Sequence, residues 1–423
     1  METKKIKKNG YNLHLIKNKN FKTVLVKVIF WEKLVKEELT KRSMLLDNLL
    51  FSSSKYNTNK KFTIKKQDLY GLNMTGGSYR RGNYIFSEIN MSVIEDKYTE
   101  KGLFKESLEF LFDTILNPNI KEEGFDLETY KINSELIKTD ITSIKENPVY
   151  YSFIEYKKLL GIDKQFTSIL EGNIEDFNKI TPNNLYQYYK DFLNKNNIDI
   201  MVIGNIDFDS TEKIIEDNFN LDKKSYPMDE LYVSYEKELT EDIISSNFSQ
   251  SRLVMGGSLN DLTLHEKRYE ALAYNIILGS SPNSKLFKNI REKHSYAYSI
   301  SSSINRFDGM FYIYAGISKQ NYKDVKREVL NEIENMKKGK FTVQDIKNAK
   351  EVMIGVLKEV HDHQNAIANH YFNREYFGNK SLEEQKENIN NITKESIIEV
   401  AKKINIDTIL LVEEKDYEEN TNK

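Results

Sequence analysis

The order of apolar and polar positions reads as one theme written twice. Residues 23–30 make a β-branched apolar run, residues 251–256 make another, and each predicts a buried strand. Behind each run lies a segment whose apolar residues recur at three and four, 38–51 in the first copy and 264–278 in the second, which predicts an amphipathic helix. An alternating strand follows in each, at 84–94 and at 310–317, and long amphipathic helices come next. Each copy closes on a helix started by a threonine, Thr181 or Thr393, and a β-rich strand at 199–203 or 407–412.

Residue identities follow the same duplication. At an offset of 228, Leu25-Val26 falls on Leu253-Val254, Leu34 on Leu262, Leu50 on Leu278 and Tyr70 on Tyr298. The offset then shrinks, as small loop deletions produce: Glu155-Tyr156 falls on Glu375-Tyr376, and Asn197-Ile198-Asp199 on Asn405-Ile406-Asp407. Strands and helices mix without βαβ regularity, so each half reads as α+β, with helices packed on one mostly antiparallel sheet. The domains are expected at 1–222 and 230–423, joined by the polar, proline-bearing stretch 222–229. The charged tail from Glu413 onward is expected to fray.

Composition removes whole classes of function. The 423 residues carry 62 Lys and Arg against 64 Asp and Glu, a net charge of −2, which gives no general pull toward nucleic acid or anionic lipid. The aromatics are spread along the chain and do not interleave with a basic patch, so no nucleic-acid partner is expected. With no cysteine, disulfides, thiolate zinc sites, iron–sulfur clusters and thiol nucleophiles are excluded, and the cytoplasm is the expected compartment. The basic N-terminus meets Asn9, Gly10 and Asn12 where a signal peptide needs an apolar core, and no apolar run approaches a membrane span, so a soluble protein is expected. No Walker loop, dinucleotide-binding glycine motif or serine nucleophile elbow occurs. His361, His363 and His370 cluster in sequence, but on a helix His361 and His363 point about 200° apart, so they make a poor metal site.

The most informative stretch runs from Leu278 to Ile300: a Gly279-Ser280 loop, a helix ending Arg291-Glu292-Lys293, and Tyr298 seven residues after Arg291. On its own it reads as a solvated helix end followed by a strand aromatic. In this context it resembles the second-domain signature of the insulinase/pitrilysin zinc peptidases, in the branch of the mitochondrial processing peptidases and small bacterial heterodimeric peptidases. The resemblance implies two homologous domains arranged as a clamshell around a chamber. It also implies that Arg291 and Tyr298 donate hydrogen bonds to a substrate carbonyl that becomes an oxyanion, the task two fixed donors perform far better than water. Thr63 stands at the first-copy position of Arg291, so the pair belongs to the second half alone.

Active members of that family carry HxxEH on a first-domain helix, two imidazoles and a general base on one face. The run after that motif is matched by Leu49-Leu50-Phe51, which places the motif at residues 44–48. Met44 and Asn48 stand where the histidines belong, and Asp47 replaces the glutamate. The third ligand, eight residues before the proline of Asn147-Pro148, corresponds to Asp140. Only His14 precedes His265, so the first half cannot assemble a histidine zinc site. The apolar spacing of Met44, Leu45, Leu46, Leu49 and Leu50 reads as a buried helix face.

The resemblance therefore implies a zinc-free subunit of a heterodimeric zinc endopeptidase. A homologous HxxEH partner would bring the zinc, this chain would bind no metal, and a peptide would be the substrate; homodimerisation of the isolated chain is the other assembly compatible with it. A catalytically inactive scaffold or peptide-binding protein is the alternative. A self-sufficient peptidase using Asp47 and Asp140 with another ion is disfavoured, because two carboxylates hold a divalent cation weakly.

Overall fold

The computed structural model describes residues 1–160, 164–223, 225–235 and 238–415. Its two large sheets lie each in its own compact unit, and residues 120–121 and 124–125 add a small two-stranded one.

The first sheet has six strands: β1 (Glu2–Lys7), β2 (Asn12–Lys17), β3 (Thr23–Lys33), β4 (Asn73–Arg81), β5 (Tyr84–Ile94) and β6 (Asn197–Gly204). Their order is β1-β2-β6-β3-β5-β4, antiparallel except where β2 runs parallel to β6. Val24, Val26, Val28 and Phe30 of β3 point to one face, where they share a core with α1 (Leu39–Leu49) and α2 (Leu103–Leu116). α3 (Leu127–Ser143) packs on α1.

The second sheet has five strands, β7 (Thr240–Ser245), β8 (Ser251–Ser258), β9 (Ala297–Asn305), β10 (Met310–Ile317) and β11 (Thr408–Glu413), in the order β9-β10-β8-β11-β7. Leu253 and Met255 of β8 face its helices, and Val254 faces the other way. The mixed α+β class, helices on mostly antiparallel sheets, is thus the observed one.

Local signals behave as the sequence predicts. Thr181 accepts a hydrogen bond from Asn184 N, Thr393 from Ser396 N, and both helices begin with reciprocal capping boxes. The stretch 264–278 departs from one continuous helix: it breaks at Tyr269 and ends in a π-helical turn, Ile276–Ser280.

Two differences go deeper. The compact units are not the contiguous stretches 1–222 and 230–423. One comprises Met1–Ser143, Ser168–Asp229 and Val360–Asn379, the other Ile144–Thr167, Glu230–Glu359 and Lys380 onward. Helix α4 (Pro148–Leu159), from the first half of the sequence, packs on β8 and β11, and helix α5 (Gln364–Phe377), from the second half, packs on β3 and β6. Amphipathic spacing reveals that a helix has a buried face, not which sheet receives it.

The second difference is register. An offset of 228 puts Leu25 on Leu253, yet Val24, Val26 and Val28 face helices in one sheet while Leu253 and Met255 do so in the other. Because side chains alternate along a strand, that alignment is one residue out. The joint at 222–229 is tied to the first unit, where Asn197 exchanges two hydrogen bonds with the backbone of Tyr226. The fraying expected from Glu413 onward does not begin there: Glu413, in β11, pairs with Ser245, and Glu414 N donates to Ser251 Oγ at 3.0 Å. Lys224 and residues 416–423 lie outside the described residues.

Candidate functional site

The degenerate motif lies on α1, whose inward face is set by Met44, Leu45, Leu46 and Leu49. Met44 is fully buried. Asn48 is also buried and turns its amide back along the helix, Nδ2 donating to the Met44 carbonyl at 2.7 Å, while its Oδ1 has no partner. Asp47 lies on the exposed side of α1, close enough to Asp140 of α3 for the two charges to interact. Enclosure by protein around its carboxyl, and then the Asp140 charge, push the Asp47 pKa up to about 6.

The Asp140 charge thus bears on Asp47, while Met44 and Asn48 face inward. These residues do not fit a zinc ion: a thioether in the core, a self-bonded amide and two mutually repelling carboxyls replace the imidazoles and the glutamates. Among the described residues, no three His, Asp or Glu side chains gather into a group able to hold a metal. His361 and His363 are exposed at the entry to α5.

The helix itself is anchored by a residue that sequence reasoning missed. Arg42 is 2% exposed; it donates to Ser87 Oγ at 2.9 Å and Asn196 Oδ1 at 3.1 Å, pairs with Glu32, and lies over the Phe192 ring at 4.9 Å.

Arg291 and Tyr298 belong to the second unit. Residues Phe287–Lys293 form a π-helical segment fixed by the buried Ile290 and by Asn289, whose Nδ2 donates to Glu332 Oε1 at 2.8 Å. Arg291 is exposed, its guanidinium 4.8 Å from the Phe287 ring centre. The chain then turns through Ser295, at φ 54, and Tyr296 N donates to the Ile290 carbonyl at 3.0 Å.

Strand β9 lies at the sheet edge and carries a bulge: Ala297 pairs with Ile317 and Ser299 with Gly316, so Tyr298 is the extra residue. Bulges re-aim side chains, and Tyr298 is 63% exposed. Its hydroxyl lies 3.2 Å from Ser318 Oγ. Each member of the pair thus rests on its own neighbour, Arg291 on Phe287 and Tyr298 on Ser318, and both hold donors in the solvent. Chemically this is a pair of exposed hydrogen-bond donors near a strand edge.

Residues 179–353 match the family model described as Peptidase M16 inactive domain. A curated relative from Bacillus subtilis (strain 168), "Probable inactive metalloprotease YmfF", is 25% identical over 408 residues, covering 96% of each chain. A second from the same organism, "Uncharacterized zinc protease YmxG", is 27% identical over 198 residues, 44% of this chain and 45% of that one. The crystal structure of a peptidase M16 inactive domain from Pseudomonas fluorescens superposes with a TM-score of 0.79 at 15% identity, covering 98% of this chain and 99% of the other. These findings bear out the resemblance to the insulinase-like peptidases and the two-domain fold it implies.

Proposed function

We propose that this chain, which matches the M16 inactive-domain model over residues 179–353 and resembles a probable inactive metalloprotease along its length, serves as the zinc-free subunit of a heterodimeric zinc endopeptidase. Its partner would be a homologue with HxxEH; zinc protease homologues of this chain exist, the Bacillus subtilis one among them. This chain's contribution is Arg291 and Tyr298, which grip the backbone of a peptide and donate to the scissile carbonyl as negative charge develops on its oxygen. A reducing, cytoplasmic setting suits a chain with no cysteine. Among the described residues no helix is long and apolar enough to cross a membrane.

The observation that carries the reading is the contrast within one molecule. Met44 and Asn48 are withdrawn into the core, whereas Arg291 and Tyr298 are held out on a stacked ring and a strand bulge. Mixing the chain with a zinc-bearing homologue and following cleavage of a fluorogenic peptide tests it. Arg291→Ala or Tyr298→Phe is expected to lower turnover on the order of 10²-fold, the cost of one lost oxyanion donor. Turnover equal to wild type in both variants refutes the proposal.

The exposure of the pair also fits a second reading, a peptide-binding scaffold without enzymology. In that case the variants weaken peptide binding and no partner's turnover depends on them.

A further inference from the structure

The chain between Arg291 and Tyr298 is not of a kind that holds its own shape. Phe287–Lys293 is π-helical, and Ser295 carries left-handed backbone at φ 54. Both conformations persist where the surrounding structure over-determines them. Local bonds supply part of that constraint: Ser295 N donates to the Arg291 carbonyl at 3.2 Å, and Tyr296 N to the Ile290 carbonyl at 3.0 Å.

The rest comes from one neighbour, the helix Tyr322–Lys337, which follows β10 and packs on the π-helical segment. Its buried face is apolar at Val325, Val329, Ile333 and Met336, yet Glu332 stands among them, 5% exposed. Glutamate is seldom buried without a partner. Here Glu332 Oε1 accepts from Asn289 Nδ2 at 2.8 Å, two residues before Arg291, while its Oε2 is buried with no hydrogen-bond partner. An unsatisfied buried oxygen lowers stability, so packing alone does not account for a glutamate at this place.

The start of the same helix holds the other donor. Asn321 Nδ2 donates to the Tyr296 carbonyl at 3.1 Å, two residues before Tyr298. Ser318, whose Oγ lies 3.2 Å from the Tyr298 hydroxyl, opens the turn that leads into the helix.

We propose that this helix and its lead-in set the spacing of Arg291 and Tyr298, with Glu332 and Asn321 as positioning residues. Glu332 acts on Arg291 through Asn289, and Asn321 acts on Tyr298 through the Tyr296 backbone. The inference deepens the proposed function and rests on it, since two donors stabilise an oxyanion only when both are held where its charge develops.

Glu332→Leu suits the apolar face and removes the acceptor, whereas Glu332→Gln keeps a carbonyl oxygen for Asn289. In amide hydrogen exchange on the isolated full chain, Glu332→Leu is expected to speed exchange across residues 289–298 about 3- to 10-fold, the effect of one lost hydrogen bond, and Glu332→Gln to leave it as in wild type. In the mixture with a zinc-bearing homologue, Glu332→Leu is expected to lower kcat on the order of 10-fold with KM unchanged and Tm no lower than wild type. Glu332→Gln restores that kcat, and Glu332→Leu adds no further loss to Arg291→Ala. Asn321→Ala, on a part-buried residue, is expected to act likewise, without adding to Tyr298→Phe, and stands in should Glu332→Leu fold poorly. Unaltered exchange in both Glu332→Leu and Asn321→Ala overturns the proposal, as does a kcat loss that adds in full to that of Arg291→Ala. If turnover depends on neither Arg291 nor Tyr298, the proposed function itself fails, and the exchange result alone decides whether the helix holds the segment.

Discussion

Asp47 shows how a single carboxylate beside a like charge gives the fold a pH dependence. Partial desolvation of its carboxyl, and then the like charge of Asp140, push its pKa up to about 6, well above the usual aspartate value. The native state therefore binds that proton more tightly than the unfolded chain does. Stability from this group is greatest below the ordinary aspartate range, falls as pH rises toward about 6, and stays lowered above it. Asp47→Asn is expected to raise the Tm at neutral pH and to leave it unchanged near pH 4, read from thermal unfolding across a pH series; a Tm gain of equal size at every pH contradicts this account. The sequence made legible the inward-facing apolar spacing of Met44, Leu45, Leu46 and Leu49, but not that the charge of Asp140 bears on Asp47. The buried pairing of Arg42 with Glu32 was not legible, because its partners are distant in sequence and charged residues are ordinarily exposed.

At the scale of elements, the instructive feature is the glycine pair in β8. A Cβ on Gly256 would stand 2.2 Å from the Tyr156 hydroxyl and 2.4 Å from the Phe311 carbonyl, and one on Gly257 would stand 1.7 Å from the Asn405 carbonyl. The strand has given up two side chains so that α4 and the loop before β11 can press against it. Gly256→Ala is expected to cost about 1–3 kcal/mol, the usual penalty of overpacking, seen as a lower denaturant midpoint. An unchanged midpoint shows that the contact yields freely. The strands β3, β5, β6, β8, β10 and β11, the Thr181 and Thr393 caps and the bounds of β5 were readable from local pattern, whereas β1, β2, β4, β7 and β9 were not. The destinations of α4 and α5 were not, since a helix bearing Tyr156 or Tyr376 on its apolar side fits either sheet until Gly256, or Asp199 accepting from Tyr376 at 2.7 Å, selects it.

For the whole molecule, the consequence of lacking a zinc motif is a division between stability and activity. Chelation by EDTA is expected to leave the Tm of the isolated chain unchanged, because its motif positions hold Met44 and Asn48, and to abolish cleavage by the mixture with a zinc-bearing homologue. A chelator-dependent Tm for the isolated chain contradicts the division.

The interleaving of the two units has a further consequence, for biosynthesis. Translation delivers residues in order, and domains generally fold as they emerge. The first sheet is fully translated once Gly204 has appeared, but the helix that covers its other face, opposite α1 and α2, ends at Phe377, inside the segment that closes at Asn379. Throughout the intervening stretch the nascent chain carries an uncovered apolar surface on the ribosome, and a premature stop anywhere before that segment releases a product whose first sheet has no lid.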